Sequence, residues 1–317
     1  MKRIVIFGAT GAIGAYAAAE LSKYYEVIAV GRRDDHDMFE DINIEYIRAN
    51  CLNKNDLRRV PSEKYAVINL AGMLPAAMHG YSPEDYINNL MIQLNILDYS
   101  KGCDRVLFAQ SVSDVVHLYG SGTIPENITH RFPINNDHSV YSICKNASVD
   151  LMQHYSERYG YRWIAIRMPH IYLYHPNSYY YSEGVLKKMN HRQMIEDAIE
   201  GKEIKVWGPP EKQRDIIYVK DLIAQIKVLL ETDAQGMYNA GTGTGTTIED
   251  QVKGIVKVFG GSIGYDPGNT YNVAQYVMDI SRSKVLGYTP RYDYVSYLTD
   301  FKTEMQLNRF EKIWGKQ

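Results

Sequence analysis

Short runs of β-branched and aliphatic residues alternate with longer amphipathic stretches through the first half of the chain. The short runs predict strands at Arg3–Phe7, Glu26–Val30, Ile44–Arg48, Ala66–Leu70, Arg105–Gln110 and Arg162–Arg167. The amphipathic stretches predict helices at Ala12–Lys23, Pro83–Lys101 and Val140–Tyr159. Because strands alternate with helices, we expect an α/β fold with a doubly wound parallel sheet and helices on both of its faces.

The pattern changes after Arg167, where residues 168–213 become rich in Tyr, His, Pro and Asn. From there the sequence predicts a helix, a strand, a second helix and a turn, at His191–Glu200, Asp215–Val219, Asp221–Leu230 and Gly241–Thr247. We therefore expect a larger domain over residues 1–168, with return elements near 215–240, and a smaller C-terminal lobe over residues 169–317.

Composition narrows the class of protein only a little. The 317 residues are 45% hydrophobic and 23% charged, with a formal net charge of −2, as in an ordinary soluble globular protein. We expect neither nucleic acid nor a membrane as a partner, because the chain lacks a basic excess and an apolar run of roughly 18 residues. Cys51, Cys103 and Cys144 lack metal-ligand spacing, so we expect free thiols, no metal site and a cytoplasmic location.

A glycine-rich turn joins the first predicted strand to the first predicted helix. Gly8, Gly11 and Gly14 permit the tight bend, let a pyrophosphate approach the backbone and let the helix pack close to the strand. The N–H groups that begin the helix, around Ala12 and Ile13, would face the phosphates. This pattern is typical of a Rossmann-type dinucleotide site. It also disfavours a signal peptide, because the glycines interrupt the apolar stretch.

The residues after the second strand bear on the choice of dinucleotide. A carboxylate there would bind the ribose hydroxyls of NAD and repel a 2′-phosphate, whereas this chain has Gly31, Arg32 and Arg33. Guanidinium groups bind phosphate as a fork, so we expect NADP. NAD is the alternative if both arginines are merely solvated.

Tyr141 and Lys145 stand four residues apart and share one face of the third predicted helix. A tyrosine that acts as a base near neutrality needs its pKa lowered by roughly three units from about 10, which costs about 4 kcal/mol. A lysine charge about 6 Å away supplies nearly 3 kcal/mol at an effective dielectric of about 20. Behind the glycine turn, the pair predicts a catalytic acid/base tyrosine; alone, its spacing would fit any exposed helix.

Ser111 follows the strand predicted at Arg105–Gln110. The carboxyl end of a parallel strand faces the ligand crevice, so Ser111 would hydrogen-bond the substrate oxygen that Tyr141 deprotonates. Ser113 would replace it if the strand ended two residues later. A serine that only caps a turn is the simpler alternative.

These residues resemble the extended short-chain dehydrogenase/reductases, in particular the NAD-dependent epimerase/dehydratase group that acts on nucleotide sugars. The resemblance covers nearly the whole chain and rests on residues 8–14, 69–72, 89–95, 111, 141–145, 167–172, 214–221 and 238–241. The string Arg214-Asp-Ile-Ile-Tyr-Val-Lys-Asp221 is the most telling, because it is similar to the extended branch of the family and not to the shorter one.

The resemblance implies the members of the cofactor site. They are Gly8, Thr10, Gly11, Ala12, Ile13 and Gly14 at the pyrophosphate, together with Arg32, Asn50, Cys51, Leu70, Ala71, Gly72, Pro169, Ile171, Tyr141 and Lys145. Asn50 takes the place of the family's usual Asp beside adenine, with Cys51 beneath the ring.

The resemblance also implies a substrate site and a homodimer. Arg214 would contact the substrate diphosphate, although a surface ion pair with Asp215 or Asp221 is an alternative. Ser113 and His170 would line the pocket, with a plain loop histidine as the alternative for His170. The two long helices, Pro83–Lys101 and Val140–Tyr159, would pair across a two-fold axis in a homodimer.

Several positions depart from the family's pattern. Val112 and Ser113 replace the Asp-Glu pair of 4,6-dehydratases, which disfavours dehydration because water loss needs an acid and a base. Ile171-Tyr-Leu-Tyr174 replaces the family's Val-Tyr-Gly-Pro, and Leu74 replaces a lysine of galactose epimerases. The sugar and the net reaction therefore stay open.

Three functions fit these residues. The leading hypothesis is a nucleotide-sugar epimerase, in which Tyr141 takes the proton of a sugar hydroxyl while hydride moves to the nicotinamide and returns to the other face. The second is an NADPH-dependent reductase of a keto-sugar nucleotide or another carbonyl, which Arg32 favours. The third is a non-catalytic NADP-binding regulator, disfavoured because Tyr141 and Lys145 are both retained.

Overall fold

A computed structural model describes residues 1–34, 39–42, 44–77, 82–136, 138–269 and 274–314. In chain order the strands are β1 Arg3–Phe7, β2 Glu26–Gly31, β3 Glu45–Arg48, β4 Ala66–Asn69, β5 Arg105–Ser111, β6 Thr123–Ile124, β7 Arg162–Met168, β8 Ile171–Tyr172, β9 Tyr179–Ser182, β10 Val185–Lys188, β11 Glu203–Trp207, β12 Gln213–Asp215, β13 Ile217–Tyr218, β14 Gly236–Asn239, β15 Gly245–Thr247, β16 Ser262–Asp266 and β17 Val277–Met278. The α-helices are α1 Ala12–Leu21, α2 Lys54–Leu57, α3 Pro83–Tyr99, α4 Ser139–Tyr159, α5 Asn190–Ile199, α6 Val219–Glu231, α7 Ile248–Phe259, α8 Ser281–Val285, α9 Tyr294–Leu307 and α10 Glu311–Trp314.

Within the described residues, the main sheet has seven parallel strands in the order β14-β7-β5-β4-β1-β2-β3. Ile4 and Ile6 of β1 pack with α1 and α6, while Val5 and Phe7 pack with α3 and α4 on the other face. A strand covered on both faces is an unbroken apolar run, as in β1, whose four apolar side chains are fully buried. The predicted doubly wound sheet is confirmed.

The order of the strands reverses between β1 and β4. In sheets of this kind a crevice opens outside the carboxyl ends of the strands at that point, and ligands bind there. The glycine turn follows β1, and Ser111 ends β5 at the same edge of the sheet. The fold therefore brings these two predicted features to one side of the molecule.

The elements predicted in the first 168 residues are all present, with ends that differ from the prediction by at most two residues. The single strand predicted at Asp215–Val219 is wrong. Gln213–Asp215 pairs antiparallel with β15, whereas Ile217–Tyr218 pairs in parallel with β8, so two short strands replace it. The following helix begins at Val219, two residues before the predicted start.

The C-terminal part contains elements that the sequence pattern missed. β9 and β10 form an antiparallel hairpin whose turn places Glu183 and Gly184 at φ of 53° and 73°. Residues 248–314, for which no element was predicted, include α7 and α9, which pack together, and β16, which pairs in parallel with β11. The chain returns to the main sheet through β14, which pairs with β7.

Across the described residues, no helix has both the length and the apolar character that crossing a bilayer requires.

Candidate active site

The glycine turn after β1 has the geometry of a phosphate cradle. Gly8 has a φ of 80°, and a Cβ at this position would lie 2.7 Å from the backbone nitrogen of Ala71. A Cβ on Gly14 would overlap the carbonyl oxygen of Gly8, so only glycine lets α1 approach β1 this closely. No side chain caps α1, which leaves the N–H groups of Ala12 and Ile13 without intrahelical acceptors. These free N–H groups are suited to donate hydrogen bonds to a pyrophosphate.

The loop after β4 lies against this cradle and is fixed by two buried amides. Asn69 accepts a 2.9 Å hydrogen bond from the N–H of Ala71. Asn89 of α3 accepts one from the N–H of Met73 at 2.6 Å and donates to the carbonyl of Met73 at 3.1 Å. The predicted cofactor segment Leu70–Gly72 therefore has a defined path beside Gly8.

A polar cleft of about 400 Å³ opens where β2 and β3 end. Its lining comprises Arg32, Arg48, Asn50, Asp56 and Arg59, which brings three guanidinium groups and one carboxylate together. Arg59 donates to the carbonyl of Arg48 at 3.0 Å and lies 3.3 Å from the carboxylate of Asp56. Arg48 forms a 2.6 Å ion pair with Asp34, so two of the three guanidinium groups already face a carboxylate. The remaining positive charge suits a phosphate-sized anion. Arg33, the other arginine of the predicted pair, is not among the lining residues.

Asn50 and Cys51 lie at the edge of this cleft. The Asn50 side chain accepts a hydrogen bond from the N–H of Leu52 at 3.1 Å, which closes a tight turn after β3. Asn95 of α3 donates to the carbonyl of Cys51 at 2.8 Å. Burial raises the pKa of the Cys51 thiol to about 12, so this side chain acts as an unreactive apolar surface.

Ser111 and Tyr141 meet at the carboxyl end of β5. The side chains of Ser111 and Tyr141 are hydrogen-bonded to each other, and Tyr141, at the start of α4, is only 5% exposed. Burial raises the pKa of Tyr141 to about 12, while the hydrogen bond from Ser111 acts in the opposite direction. The protein alone therefore raises the pKa of Tyr141, because burial outweighs the hydrogen bond, whereas the expected lowering also counted on the positive charge of an oxidised nicotinamide.

Lys145 lies one turn of α4 after Tyr141, and its Nζ is 5.7 Å from the centroid of the tyrosine ring. The same nitrogen donates a 2.7 Å hydrogen bond to the carbonyl of Ala109. Lys145 is 6% exposed, and burial lowers the pKa of its ammonium group to about 8. Tyr141 and Lys145 therefore lie on the same face of α4, as predicted. Both side chains are buried, whereas a chance pair on an exposed helix would be solvent-exposed.

Ser113 occupies a different position from Ser111. It lies in the 3-10 turn Val112–Leu118 and donates its N–H to the Ser111 hydroxyl at 3.2 Å. Its own hydroxyl accepts a 3.0 Å hydrogen bond from Ser142 of α4. Ser111 is therefore the serine that contacts Tyr141, and Ser113 joins the turn to the helix.

A buried ion pair anchors the turn that follows Ser111. Asp114 accepts hydrogen bonds from Nε and Nη2 of Arg167, at the end of β7, and each of the two side chains is 2% exposed. Arg167 also donates to Asn239 of β14 at 2.8 Å, and the N–H of Asn239 donates to Glu126 at 3.0 Å. The turn that follows Ser111 is thereby linked to β7 and β14.

Pro169, His170 and Ile171 follow β7 at the same edge of the sheet. Pro169 is buried, and Ile171 packs against the main core. His170 lies 5.1 Å from the ring of Tyr172 and 5.7 Å from the ring of His191. Its side chain is exposed to solvent, and partial desolvation, followed by the charge of Arg214, lowers its pKa. His170 is therefore an exposed histidine between β7 and β8 that lies against two other rings.

Arg214 points toward the same rings. Its Nη2 donates a 2.5 Å hydrogen bond to the hydroxyl of Tyr172. The carboxylate of Asp215 is occupied by donors from Thr242, Gly243 and Met278, and that of Asp221 by the N–H groups of Arg291 and Tyr292. These contacts disfavour the alternative that Arg214 forms a surface ion pair with either aspartate.

The sequence analysis missed Arg48, Arg59 and His191. Arg48 is the last residue of β3. Its position at the carboxyl end of a parallel strand could have predicted that it lies at the ligand crevice. Arg59 follows a short helix and His191 begins α5, and neither lies in a recognisable motif. Among the residues the structure describes, no group of three or more His, Cys, Asp or Glu side chains is arranged to hold a metal ion.

The chain is similar to a known protein family and to known proteins. The family model described as "NAD dependent epimerase/dehydratase family" matches residues 4–241. GDP-L-fucose synthase 1 of Arabidopsis thaliana is 28% identical over 243 residues, which cover 72% of this chain and 73% of that protein. GDP-L-fucose synthase of Escherichia coli is 23% identical over 90% of this chain and 91% of that protein.

The fold matches solved structures over nearly its full length. UDP-glucose 4-epimerase of Thermotoga maritima, solved with UDP-glucose, superposes with a TM-score of 0.75 and 21% identity. The match covers 96% of this chain and 99% of that one.

Proposed function

Because the chain belongs to the NAD-dependent epimerase/dehydratase family of extended short-chain dehydrogenase/reductases, we propose that it interconverts a hydroxyl and a keto group on a nucleotide sugar, with Tyr141 as the acid/base. The observation that carries this proposal is the buried arrangement of Ser111, Tyr141 and Lys145. The names of the relatives, which include GDP-L-fucose synthases and a UDP-glucose 4-epimerase, support a nucleotide sugar as the substrate.

Each of the three side chains has a distinct task in the proposed reaction. Tyr141 accepts the proton of the substrate hydroxyl during oxidation and returns it during reduction. Ser111 donates a hydrogen bond to the same substrate oxygen and holds it in line with Tyr141. The Lys145 ammonium group stabilises the tyrosinate form, since an opposite charge within about 6 Å lowers the pKa of a neighbouring acid.

The cofactor is proposed to bind along the edge where β1, β2, β4 and β5 end. Gly8, Thr10, Gly11, Ala12, Ile13 and Gly14 hold its pyrophosphate, and Leu70–Gly72, Asn50, Cys51, Pro169 and Ile171 flank it. A bound nicotinamide supplies the acceptor and donor of hydride and, when oxidised, a positive charge that favours the tyrosinate. The cleft with Arg32, Arg48 and Arg59 favours NADP over NAD, because a 2′-phosphate there would meet Arg32 together with two arginines that are paired with Asp34 and Asp56.

Two net reactions use these residues. A nucleotide-sugar epimerase, our first candidate, returns the hydride to the opposite face of the sugar and shows no net redox change. A reductase of a keto-sugar nucleotide is the second candidate, favoured by the arginine-lined cleft, because NADPH is the usual reductant in such reductions. The substrate side of either reaction would be lined by Ser113, His170 and Arg214, in a lobe that we place at residues 169–317.

The experiment that separates them is an assay with UDP-glucose and GDP-mannose, in the presence of each nicotinamide cofactor. Formation of an epimer by NMR, with dinucleotide retained by the protein through a desalting column, supports the epimerase. Steady consumption of NADPH with the corresponding 4-keto sugar nucleotide contradicts the epimerase and supports the reductase.

We also propose that the protein forms a homodimer through α3 and α4. These helices pack on each other and leave apolar side chains exposed on their outer face, among them Ile87 at 50%, Met91 at 45% and Ile143 at 48%. An apolar face of this kind is typical of a helix-helix interface between subunits.

A further inference from the structure

Two buried amide side chains join the end of β5 to the helix that carries Tyr141. Gln110 of β5 is 2% exposed, and Asn146 of α4 is 8% exposed. The Nε2 of Gln110 donates a 3.1 Å hydrogen bond to the Oδ1 of Asn146. Such a pair is a rigid connection, because a polar group left without a partner in the protein interior costs free energy.

Backbone groups fix the orientation of both amides. At one end, the Oε1 of Gln110 accepts a 2.8 Å hydrogen bond from the N–H of Ser111, which can only donate. At the other end, the Nδ2 of Asn146 donates a 2.8 Å hydrogen bond to the carbonyl oxygen of Ser142, which can only accept. Because the two ends have opposite polarity, neither amide can rotate by 180° without bringing like groups together.

Two contacts between serines close this chain of hydrogen bonds into a ring. The hydroxyl of Ser142 donates to the hydroxyl of Ser113 at 3.0 Å, and the N–H of Ser113 donates to the hydroxyl of Ser111 at 3.2 Å. We call the five residues Gln110, Ser111, Ser113, Ser142 and Asn146 the amide-serine ring. Ser111 is held in it at two atoms, the backbone nitrogen and the hydroxyl oxygen. The ring therefore fixes where the Ser111 hydroxyl lies.

Both members of the ring in α4 are next to proposed catalytic residues. Ser142 directly follows Tyr141 along the chain, and Asn146 directly follows Lys145. The ring therefore joins the end of β5, with Ser111, to the same turns of the helix that carry the acid/base and the lysine. A break in it would let the Ser111 hydroxyl move relative to Tyr141.

We propose that Gln110 and Asn146 are positioning residues for the reaction. They hold the hydroxyl of Ser111 at the place from which it and Tyr141 can contact one substrate oxygen. Their effect is on the chemical step and not on binding, because a shift of about 1 Å in a catalytic group can reduce the rate about 10²-fold. This inference rests on the proposed function, in which Ser111 and Tyr141 share that oxygen.

The first measurement replaces either amide by an apolar side chain of similar size. Gln110→Met opens the ring from the strand, and Asn146→Leu opens it independently from the helix. We expect each to lower kcat by about tenfold or more, while the KM for the nucleotide sugar and the Kd for the cofactor change by less than about twofold. Gln110→Met/Asn146→Leu should lose no more activity than either single variant, because one break already releases Ser111. Ser156→Ala, which removes a buried hydrogen bond to the carbonyl of Tyr161 at the far end of α4, should leave kcat unchanged.

The deciding measurement is a double-mutant cycle with Ser111→Ala. If the ring acts through the Ser111 hydroxyl, Gln110→Met should change kcat by less than about twofold once that hydroxyl is gone. An amide that only supported the fold would lower kcat by the same factor with and without the hydroxyl. Equal losses in the two backgrounds would therefore overturn the proposal.

The outcomes separate this inference from the proposed function. The substrates are UDP-glucose, GDP-mannose and the corresponding 4-keto sugar nucleotides, each with either nicotinamide cofactor. If the wild type turns over one of them and Gln110→Met and Asn146→Leu keep its kcat, the positioning role is overturned and the proposed function stands. If the wild type turns over none of them while it still binds a nicotinamide dinucleotide, the substrate class is overturned and this inference with it.

Discussion

The Nζ of Lys145 lies 5.7 Å from the ring centroid of Tyr141, and both side chains are at most 6% exposed. Such burial places a lysine charge beside a tyrosine at the expense of folding stability. Burial disfavours the charged form of the lysine and lowers its pKa from 10.5 to about 8. That depression corresponds to about 3 kcal/mol of destabilisation at neutral pH.

Lys145→Met should therefore make the protein more stable and less active. The loss of the buried charge outweighs the loss of the hydrogen bond to Ala109, so we expect a net gain of about 1–2 kcal/mol in the free energy of unfolding at pH 7. The gain should be largest below about pH 8. It should become a small net loss as the pH approaches about 10.5, because the charge penalty is then gone while the hydrogen bond to Ala109 is still missing.

Urea unfolding at about pH 7 and about pH 10 measures this difference. Lys145→Arg is the matched comparison, because it keeps a charge in the same place and should show no gain. A Lys145→Met variant that is less stable than the wild type at pH 7 would contradict the assignment of a costly buried charge.

Arg32→Ser and Arg59→Ser should weaken NADP(H) binding selectively. Each removes one guanidinium group from the cleft beside β2, and a charged hydrogen bond to phosphate is worth about 1.5–3 kcal/mol. We therefore expect the Kd for NADPH to rise by about tenfold or more, with the Kd for NADH nearly unchanged. Arg58→Ser, at an exposed neighbour that does not line the cleft, is the control. Equal losses for both cofactors would argue against a 2′-phosphate site.

Arg167→Met should destabilise the fold strongly. Its guanidinium is the partner of the Asp114 carboxylate, and removing one member of a buried pair costs about 3–5 kcal/mol. The double variant Asp114→Leu/Arg167→Met should recover a large part of that loss, since no buried charge is left alone. Chemical denaturation of the single and double variants measures the coupling, and a loss below about 1 kcal/mol for Arg167→Met would rule out the anchoring role.

Ile143→Asp should convert the proposed dimer into a monomer. The side chain is 48% exposed on α4 within the apolar face shared with α3, and a carboxylate there would be desolvated in an interface. Sedimentation or light scattering measures the mass in solution. Val285→Asp, at a residue 86% exposed on α8, should leave it unchanged. A wild-type protein that is monomeric at micromolar concentration would contradict the interface.

The features that could be predicted from the sequence are those set by residues close together in the chain. The strand-turn-helix around Gly8, the spacing of Tyr141 and Lys145, and the position of Ser111 follow from residue type and periodicity. The meeting of His170 with His191 does not, because it depends on how α5 approaches β8 in the folded chain. The pKa of Tyr141 was likewise out of reach, since burial, and not the sequence neighbour, determines its direction.

The hairpin β9-β10 escaped prediction for a different reason. Its strands leave Tyr179, Val185 and Leu186 about half exposed, so no alternation of buried and exposed positions marks it. Its Glu183-Gly184 turn is a recognisable signal only once the flanking strands are known.

The most direct test of the central proposal is the rate of hydride transfer in Tyr141→Phe, which removes only the phenolic oxygen. The absorbance of reduced nicotinamide is followed after mixing the enzyme and cofactor with the nucleotide sugar that the wild type turns over. We expect a loss of at least about 10²-fold in this rate, as for removal of a general acid/base, while Tyr159→Phe at the exposed end of the same helix has no effect. A Tyr141→Phe enzyme that transfers hydride at the wild-type rate would contradict the proposal.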